Sequence, residues 1–144
     1  LNLTHALACI ELDARALNGL WSADHWEREL SDPKRICVGI PHERHALLAV
    51  ASGWIVLDEL QITALAVRPE QRRRGLGRIA LKKLLALAKE TGVKHAVLDV
   101  GVENYPARAL YAEMGFQTIS RRDRYYRDGQ DALIQFLDVQ RKSI

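Results

Sequence analysis

Ile62-Thr63-Ala64-Leu65-Ala66-Val67 runs through Arg68-Pro69 into Arg72-Arg73-Arg74-Gly75-Leu76-Gly77, and from there into a long amphipathic stretch. The first six residues read as a strand that Pro69 ends. Beyond the glycines, Leu76, Ile79, Ala80, Leu84, Leu87 and Ala88 recur at helical spacing up to Thr91, and Gly92 stands where a helix C-terminal glycine belongs. A strand feeding a glycine loop at a helix start is a natural anion site, because free N–H groups converge there and the helix dipole adds positive charge. Gly75 and Gly77 remove side chains that would keep a phosphate off the backbone, and the arginines add charge-assisted donors. Alone, the segment also fits a solvated basic turn. It is not a P-loop, since no Gly-Lys-Ser/Thr follows. It is not the dinucleotide fingerprint either: Ala80 in the third glycine's place is permitted, but the strand before it belongs to a meander.

Working outward, Leu1–Leu3 suggests the stub of a first strand, and Thr4 a cap for a helix with Leu7, Ile10, Ala14 and Leu17 on its apolar positions. Gly19 breaks that helix. Ser22 caps a second one, with Trp26 and Leu30 on one face and Pro33 beyond its end. Arg35–Ile40 reads as a strand and Pro41-His42-Glu43-Arg44 as a turn. His45–Leu57 and Asp58–Val67 read as two strands joined tightly. Ala96–Val100 is a short apolar strand of buried type, and Tyr105–Met114 a helix that tolerates Pro106 in its first turn. Gly115 stops it, and Phe116–Tyr125 and Ala132–Leu137 form a last strand pair. The expected fold is α/β, one domain over residues 1–144, with elements packed around one sheet.

The chain has 144 residues, 48% of them hydrophobic, enough for a single buried core. Its net charge of +3 is too low for a dedicated nucleic-acid binder. The basic residues cluster at Arg72–Arg78 and Arg121–Arg127, which points to anionic partners at two places. Cys9 and Cys37 form no C-x-x-C and are expected as reduced cytoplasmic thiols. No apolar run approaches the roughly 20 residues of a membrane span, and no signal peptide is visible. The chain opens on Leu1, so a few native residues are expected in front. His5, His25, His42, His45 and His95 have no metal spacing, and no metal is expected.

A second motif gives the glycine loop its meaning. Val97-Leu98-Asp99-Val100 is followed by Asn104, then Ala107-Arg108-Ala109-Leu110-Tyr111, then Gly115-Phe116. Together with Arg72–Gly77, which matches R/Q-x-x-G-x-G/A, this resembles the GNAT superfamily of N-acetyltransferases over nearly the whole chain. The resemblance implies a mixed, mostly antiparallel sheet of six or seven strands flanked by about four helices, and acetyl-CoA as co-substrate. The stretch Arg121-Arg122-Asp123-Arg124-Tyr125-Tyr126-Arg127-Asp128-Gly129-Gln130-Asp131-Ala132 looks like the hairpin of protein N-terminal acetyltransferases. Trp21-Ser22 is similar to the bacterial RimI branch, which acetylates the N-terminal alanine of a small-subunit ribosomal protein. The implied partner is therefore a protein N-terminus, with no membrane or nucleic acid, in a cytoplasmic enzyme, monomeric if anything.

The reaction would be direct attack of the amine on the thioester, with no enzyme nucleophile. By resemblance, backbone groups of Leu65, Ala66 and Val67 serve the thioester and pantetheine arm. Arg73, Arg74, Gly75, Leu76, Gly77 and Arg78 hold the pyrophosphate, and Asn104 lies near the pantetheine. Tyr111 matches the tyrosine that protonates the departing thiolate; a phenol near 10 facing a thiol near 8.5 is a reasonable donor. The base is open. Asp99 stands where the RimI type carries Glu, one methylene longer, so a water could be needed; Glu103 and Glu59 are the other candidates. Asp99 also fits a structural carboxylate. Trp21, Tyr125 and Tyr126 are the expected acceptor contacts, against readings as a core anchor and exposed strand-end aromatics. Other functions remain on this scaffold: acetylation of a small-molecule amine or a lysine, a nucleic-acid or ribosome-binding module using the arginine clusters, or a silent coenzyme A sensor.

Overall fold

In the computed structural model, residues 1–43, 46–72, 75–126 and 128–140 are described. Arg44, His45, Arg73, Arg74 and Arg127, on which expectations also fell, lie outside the described residues. Two helices come first, α1 (Ala6–Ala16) and α2 (Ala23–Ser31). Strands β1 (Arg35–Pro41), β2 (Leu47–Val56) and β3 (Glu59–Val67) follow, then helix α3 (Leu76–Glu90), strand β4 (His95–Gly101), helix α4 (Tyr105–Glu113) and strands β5 (Gln117–Arg122) and β6 (Ala132–Asp138). The six strands form one sheet in the order β1-β2-β3-β4-β6-β5. Every neighbouring pair is antiparallel except β3 and β4. That parallel step needs a crossover, and α3 is the crossover helix.

The apolar faces explain the layering. Ala80, Leu81, Leu84 and Ala88 of α3 are fully buried, and with Ala49 and Ala51 of β2, Leu98 and Val100 of β4 and Tyr111 of α4 they make one core. On the other face, Cys9 and Leu12 of α1 and Trp26 and Leu30 of α2 cover Cys37, Val50 and Ala66. Cys9 and Cys37 are free and buried in the same core.

The N-terminus departs from its expectations. Leu3–His5 is a 3-10 turn capped by Asn2, and Leu1 contributes only its amino group, bound to the carbonyl of Cys37 at 2.8 Å. Thr4 caps no helix; its hydroxyl donates to Asn2. The buried stripe of α1 is Cys9, Leu12 and Asp13, while Leu7 is 82% exposed. The sheet beneath chooses the stripe, so the helix is rotated from the face that periodicity alone suggested. Ser22 caps α2 as expected, accepting from the N–H of His25 at 3.1 Å.

Candidate active site

The central feature is a place where the sheet comes apart. β3 and β4 pair only through Glu59–His95, Leu60–Ala96 and Gln61–Val97. Immediately beyond, β3 carries a bulge. Ser52 of β2 faces Ala64 and Gly53 faces Ile62, which leaves Thr63 as the extra residue. A bulge reverses the alternation of side chains and bends the strand. Here Leu60 and Ile62 before it, and Leu65 and Val67 after it, all turn toward the α3 core. Gly53 makes the tight passage possible: a Cβ there would stand 2.5 Å from a methyl of Leu60. Past the bulge the backbone of Ala64–Val67 pairs with β2 on one side, and among the described residues it has no strand partner on the other. Its open edge offers amide and carbonyl groups to whatever enters the gap.

At the end of that edge α3 begins. Gly75, at φ +74°, takes the left-handed turn into the helix and supplies no side-chain cap. Among the described residues, no side chain caps the first-turn N–H groups of α3. A Cβ on Gly77 would sit 3.4 Å from Leu110 and 3.5 Å from Val67, so protein packing alone does not demand glycine there. Arg78 is exposed, with Glu113 3.5 Å away, a weak surface contact. An open strand edge followed by an uncapped helix start with a cation beside it fits the extended, anionic outline of coenzyme A. Arg72 is turned elsewhere and donates to the carbonyl of Ala16 at 3.1 Å.

Where β4 runs past the end of its pairing with β3, Asp99 interacts with Tyr125 and Tyr126, and Tyr126 in turn with Tyr111. Asp99 is exposed although its neighbours Leu98 and Val100 are buried, because alternation along β4 puts it on the face opposite the α3 core. The Tyr125 phenol is raised above its usual range by the Asp99 charge and by the hydrogen bond between them. Tyr126, raised first by burial and then by Asp99, packs edge-on against Tyr125 with ring centres 5.1 Å apart. Tyr111, on the buried face of α4, is pushed up to about 12 by burial and, less, by Tyr126. The loop carrying the two tyrosines is tied down by Asp131, which accepts from the N–H of Arg124 at 2.9 Å and pairs with the guanidinium of Arg121. Those bonds hold the Asp131 carboxyl below its usual range, the Arg124 N–H contributing most. Gly129, at φ +83°, closes the turn behind Tyr126 and donates its N–H to that residue's carbonyl at 3.0 Å.

The sequence profile of the acetyltransferase (GNAT) family matches residues 6–116, which include the bulge, the glycine loop, Asp99 and Tyr111. The chain belongs to the GNAT family. A Bacillus subtilis (strain 168) protein provisionally named a [ribosomal protein bS18]-alanine N-acetyltransferase is 34% identical over 131 residues, covering 90% of this chain and 86% of that one. The N-alpha-acetyltransferase RimI of Mycobacterium tuberculosis (strain H37Rv) is 35% identical over 134 residues, 88% of this chain and 82% of that one. The crystal structure of the ribosomal-protein-S18-alanine N-acetyltransferase from Escherichia coli superposes with a TM-score of 0.88 at 29% identity, covering 99% and 93% of the two chains. This GNAT chain is thus an N-acetyltransferase with acetyl-CoA as its co-substrate.

Asn104 caps α4, accepting from the N–H of Ala107 at 3.4 Å. Glu103 is exposed, and its N–H is held by Gln130 at 2.7 Å. Glu59 is at the other end of β3, 3.2 Å from His95, and does not belong to the cluster. Trp21 stacks flat on His25 at 4.2 Å and meets Trp26 edge-on at 4.7 Å, so it is part of the wall between α1 and α2.

Sequence reasoning passed over two buried carboxylates on this face. Asp13 accepts from the N–H groups of Leu20 and Trp21 at 2.7 and 3.0 Å, and from the indole N–H of Trp26 at 2.7 Å. It thereby fixes the loop that carries Trp21. Glu29 is completely buried and reaches β3. The available signal was position: Asp13 adjoins buried Leu12, and Glu29 lies three residues after Trp26 on the same face of α2. Arg68 is also buried. It clasps Glu11 at 2.6 and 3.2 Å and the Leu47 carbonyl at 2.9 Å, anchoring the exit of β3 just before the glycine loop.

Proposed function

We propose that this acetyltransferase modifies the N-terminal α-amine of a protein, specifically the alanine terminus of ribosomal protein bS18, in the cytoplasm. The observation that carries this reading is the linked set at the parting of β3 and β4, in which Asp99 acts on Tyr125 and Tyr126 and Tyr126 on Tyr111. The names of the Bacillus, Mycobacterium and E. coli relatives support it.

Acetyl-CoA, when bound, supplies the thioester carbonyl that the amine attacks. The open backbone edge of Leu65–Val67 would hold the acyl end, and the first turn of α3 with Arg78 the pyrophosphate; Arg73 and Arg74 are assigned there by motif. An N-terminal amine has a pKa of about 7.7–8.0 and arrives largely protonated. Asp99 accepts that proton, with the Tyr125 phenol close enough to feel its charge. Tyr111 acts on the leaving side. At about 12 its phenol is a weaker acid than a thiol near 8.5, so handing over its proton outright would be uphill. Its role is therefore to hold a hydrogen bond on the sulfur as charge develops; of the two protons that the ammonium loses, Asp99 takes the first, and the second, shed by nitrogen as the C–S bond breaks, goes to the departing thiolate. Tyr125 and Tyr126 bracket the incoming peptide, and Trp21 lines the wall of α1 and α2.

The test is acetylation of a short peptide beginning Ala-Arg, followed by coenzyme A release and mass spectrometry of the peptide. The expected product carries one acetyl group on the α-amine. Turnover of a small amine with none of any N-terminal peptide overturns the acceptor assignment.

A further inference from the structure

We propose that Glu29 is a positioning residue for acetyl transfer, acting by pinning the bulge in β3. Its carboxylate is fully buried and is reached from three elements. The hydroxyl of Ser52 donates to Oε1 at 2.5 Å and that of Thr63 donates to the same oxygen at 3.0 Å. The guanidinium of Arg35 donates to Oε2 at 2.7 Å, and His25 Nε2 lies 3.9 Å from that oxygen. Ser52 and Thr63 are not arbitrary partners. Ser52 is the last β2 residue before the register shift, and Thr63 is the extra residue itself. One oxygen thus joins the two residues that define the bulge, and the salt bridge to Arg35 of β1 fixes the carboxylate against the sheet.

Stability gives no sufficient reason for this arrangement. Burying a carboxylate costs several kcal/mol, and well-packed apolar residues often replace buried ion pairs without loss. The return is geometric. Thr63 is followed directly by Ala64–Val67, the segment whose free backbone edge faces the gap. Among the described residues, Glu29 has no hydrogen bond or ion pair to Asp99, Tyr111, Tyr125, Tyr126 or the glycine loop. A bulge that slides or straightens would turn the amides of Leu65–Val67 away, while α3 and its pyrophosphate site would stay in place. Glu29 therefore controls the acyl end of the site and not the anion end.

The test uses Glu29→Gln, Thr63→Val and the double variant in the full chain, at a temperature well below each melting point. The rate is read with the Ala-Arg peptide and coenzyme A affinity by calorimetry. If that peptide fails with the wild type, the acceptor assignment falls, and the rate is read instead with whichever small amine turns over. The expected result is a kcat at least tenfold lower in each single variant, a coenzyme A Kd within twofold of wild type, and a double variant no worse than the poorer single. Amide resonances of Leu65–Val67 should shift in both. A kcat within threefold of wild type overturns the proposal. So do additive losses, or a loss of coenzyme A affinity parallel to the rate, which would mark a merely structural role. Should Glu29→Gln fail to fold, Thr63→Val decides alone, because it removes one hydroxyl and keeps the branched shape.

Discussion

The two faces of the sheet are built differently. The face under α3 and α4 is closed almost wholly by apolar side chains, from Ala80, Leu81, Leu84 and Ala88 to Val93, Leu98 and Phe116. The face under α1 and α2 buries Asp13, Glu29, Ser52 and Arg68 beside Cys9, Leu12 and Trp26. Apolar packing is non-directional and tolerates repacking. A buried hydrogen-bond network admits few geometries and is costly when incomplete. The first face therefore makes the fold stable. The second specifies where particular backbone segments lie: the Trp21 loop through Asp13, the bulge through Glu29, and the exit of β3 through Arg68.

That contrast can be broken by substitution. Leu84→Ala, in the apolar face, should cost about 3 kcal/mol of unfolding free energy by urea titration, from lost transfer and an unfilled cavity. Well below its melting point it should keep near-wild-type kcat. Large loss of rate without loss of stability would erase the distinction between the faces.

Tyr111 and Gln135 are polar exceptions on the apolar face, and pH exposes Tyr111. Its phenol titrates near 12 in the folded chain and near 10 when unfolded. Between those values the unfolded chain has released a proton that the folded chain retains. Stability is thus intact below about pH 10 and falls as pH rises toward 12, by about 2–3 kcal/mol in all. Tyr111→Phe should remove that slope and lower kcat by about 10- to 100-fold, with coenzyme A affinity nearly unchanged. An unaltered rate would eliminate the phenol from the leaving-group side.

Asp13→Asn should have a smaller stability effect than Leu84→Ala, about 2 kcal/mol. An amide can satisfy one side of the trio formed by Leu20, Trp21 and Trp26 but presents an NH2 group to the other. Its signature lies in KM for the acceptor peptide, expected to rise severalfold while that for acetyl-CoA holds. Equal changes in both would mean that the Trp21 loop has no special part in acceptor binding.

The legibility of the sequence followed the same division. α3, β4 and α4 were read to within a residue or two, because glycine, proline and a 3.6-residue period are local signals. The α1 stripe was misjudged: Leu7 is exposed, and Cys9, Leu12 and Asp13 are buried, because Cys37, Leu47 and Val50 beneath decide which side of the helix packs. Glu29 escaped notice because its partners Ser52 and Thr63 stand 23 and 34 residues away. The bulge did leave a trace in the apolar positions, even at Leu60 and Ile62 and odd at Leu65 and Val67.

Local chemistry in the sequence determined the order of elements, the glycine turn that leaves the start of α3 uncapped, and the presence of Asp99, Tyr111, Tyr125 and Tyr126 in a family pattern. Only the tertiary structure decided that β3 and β4 separate after three pairs and that Asp99, Tyr125, Tyr126 and Tyr111 form one linked set beside the opening. The reason is physical. Whether a strand edge stays open depends on the register of its neighbours and on a bulge clasped from another helix, and neither is a property of the strand's own residues.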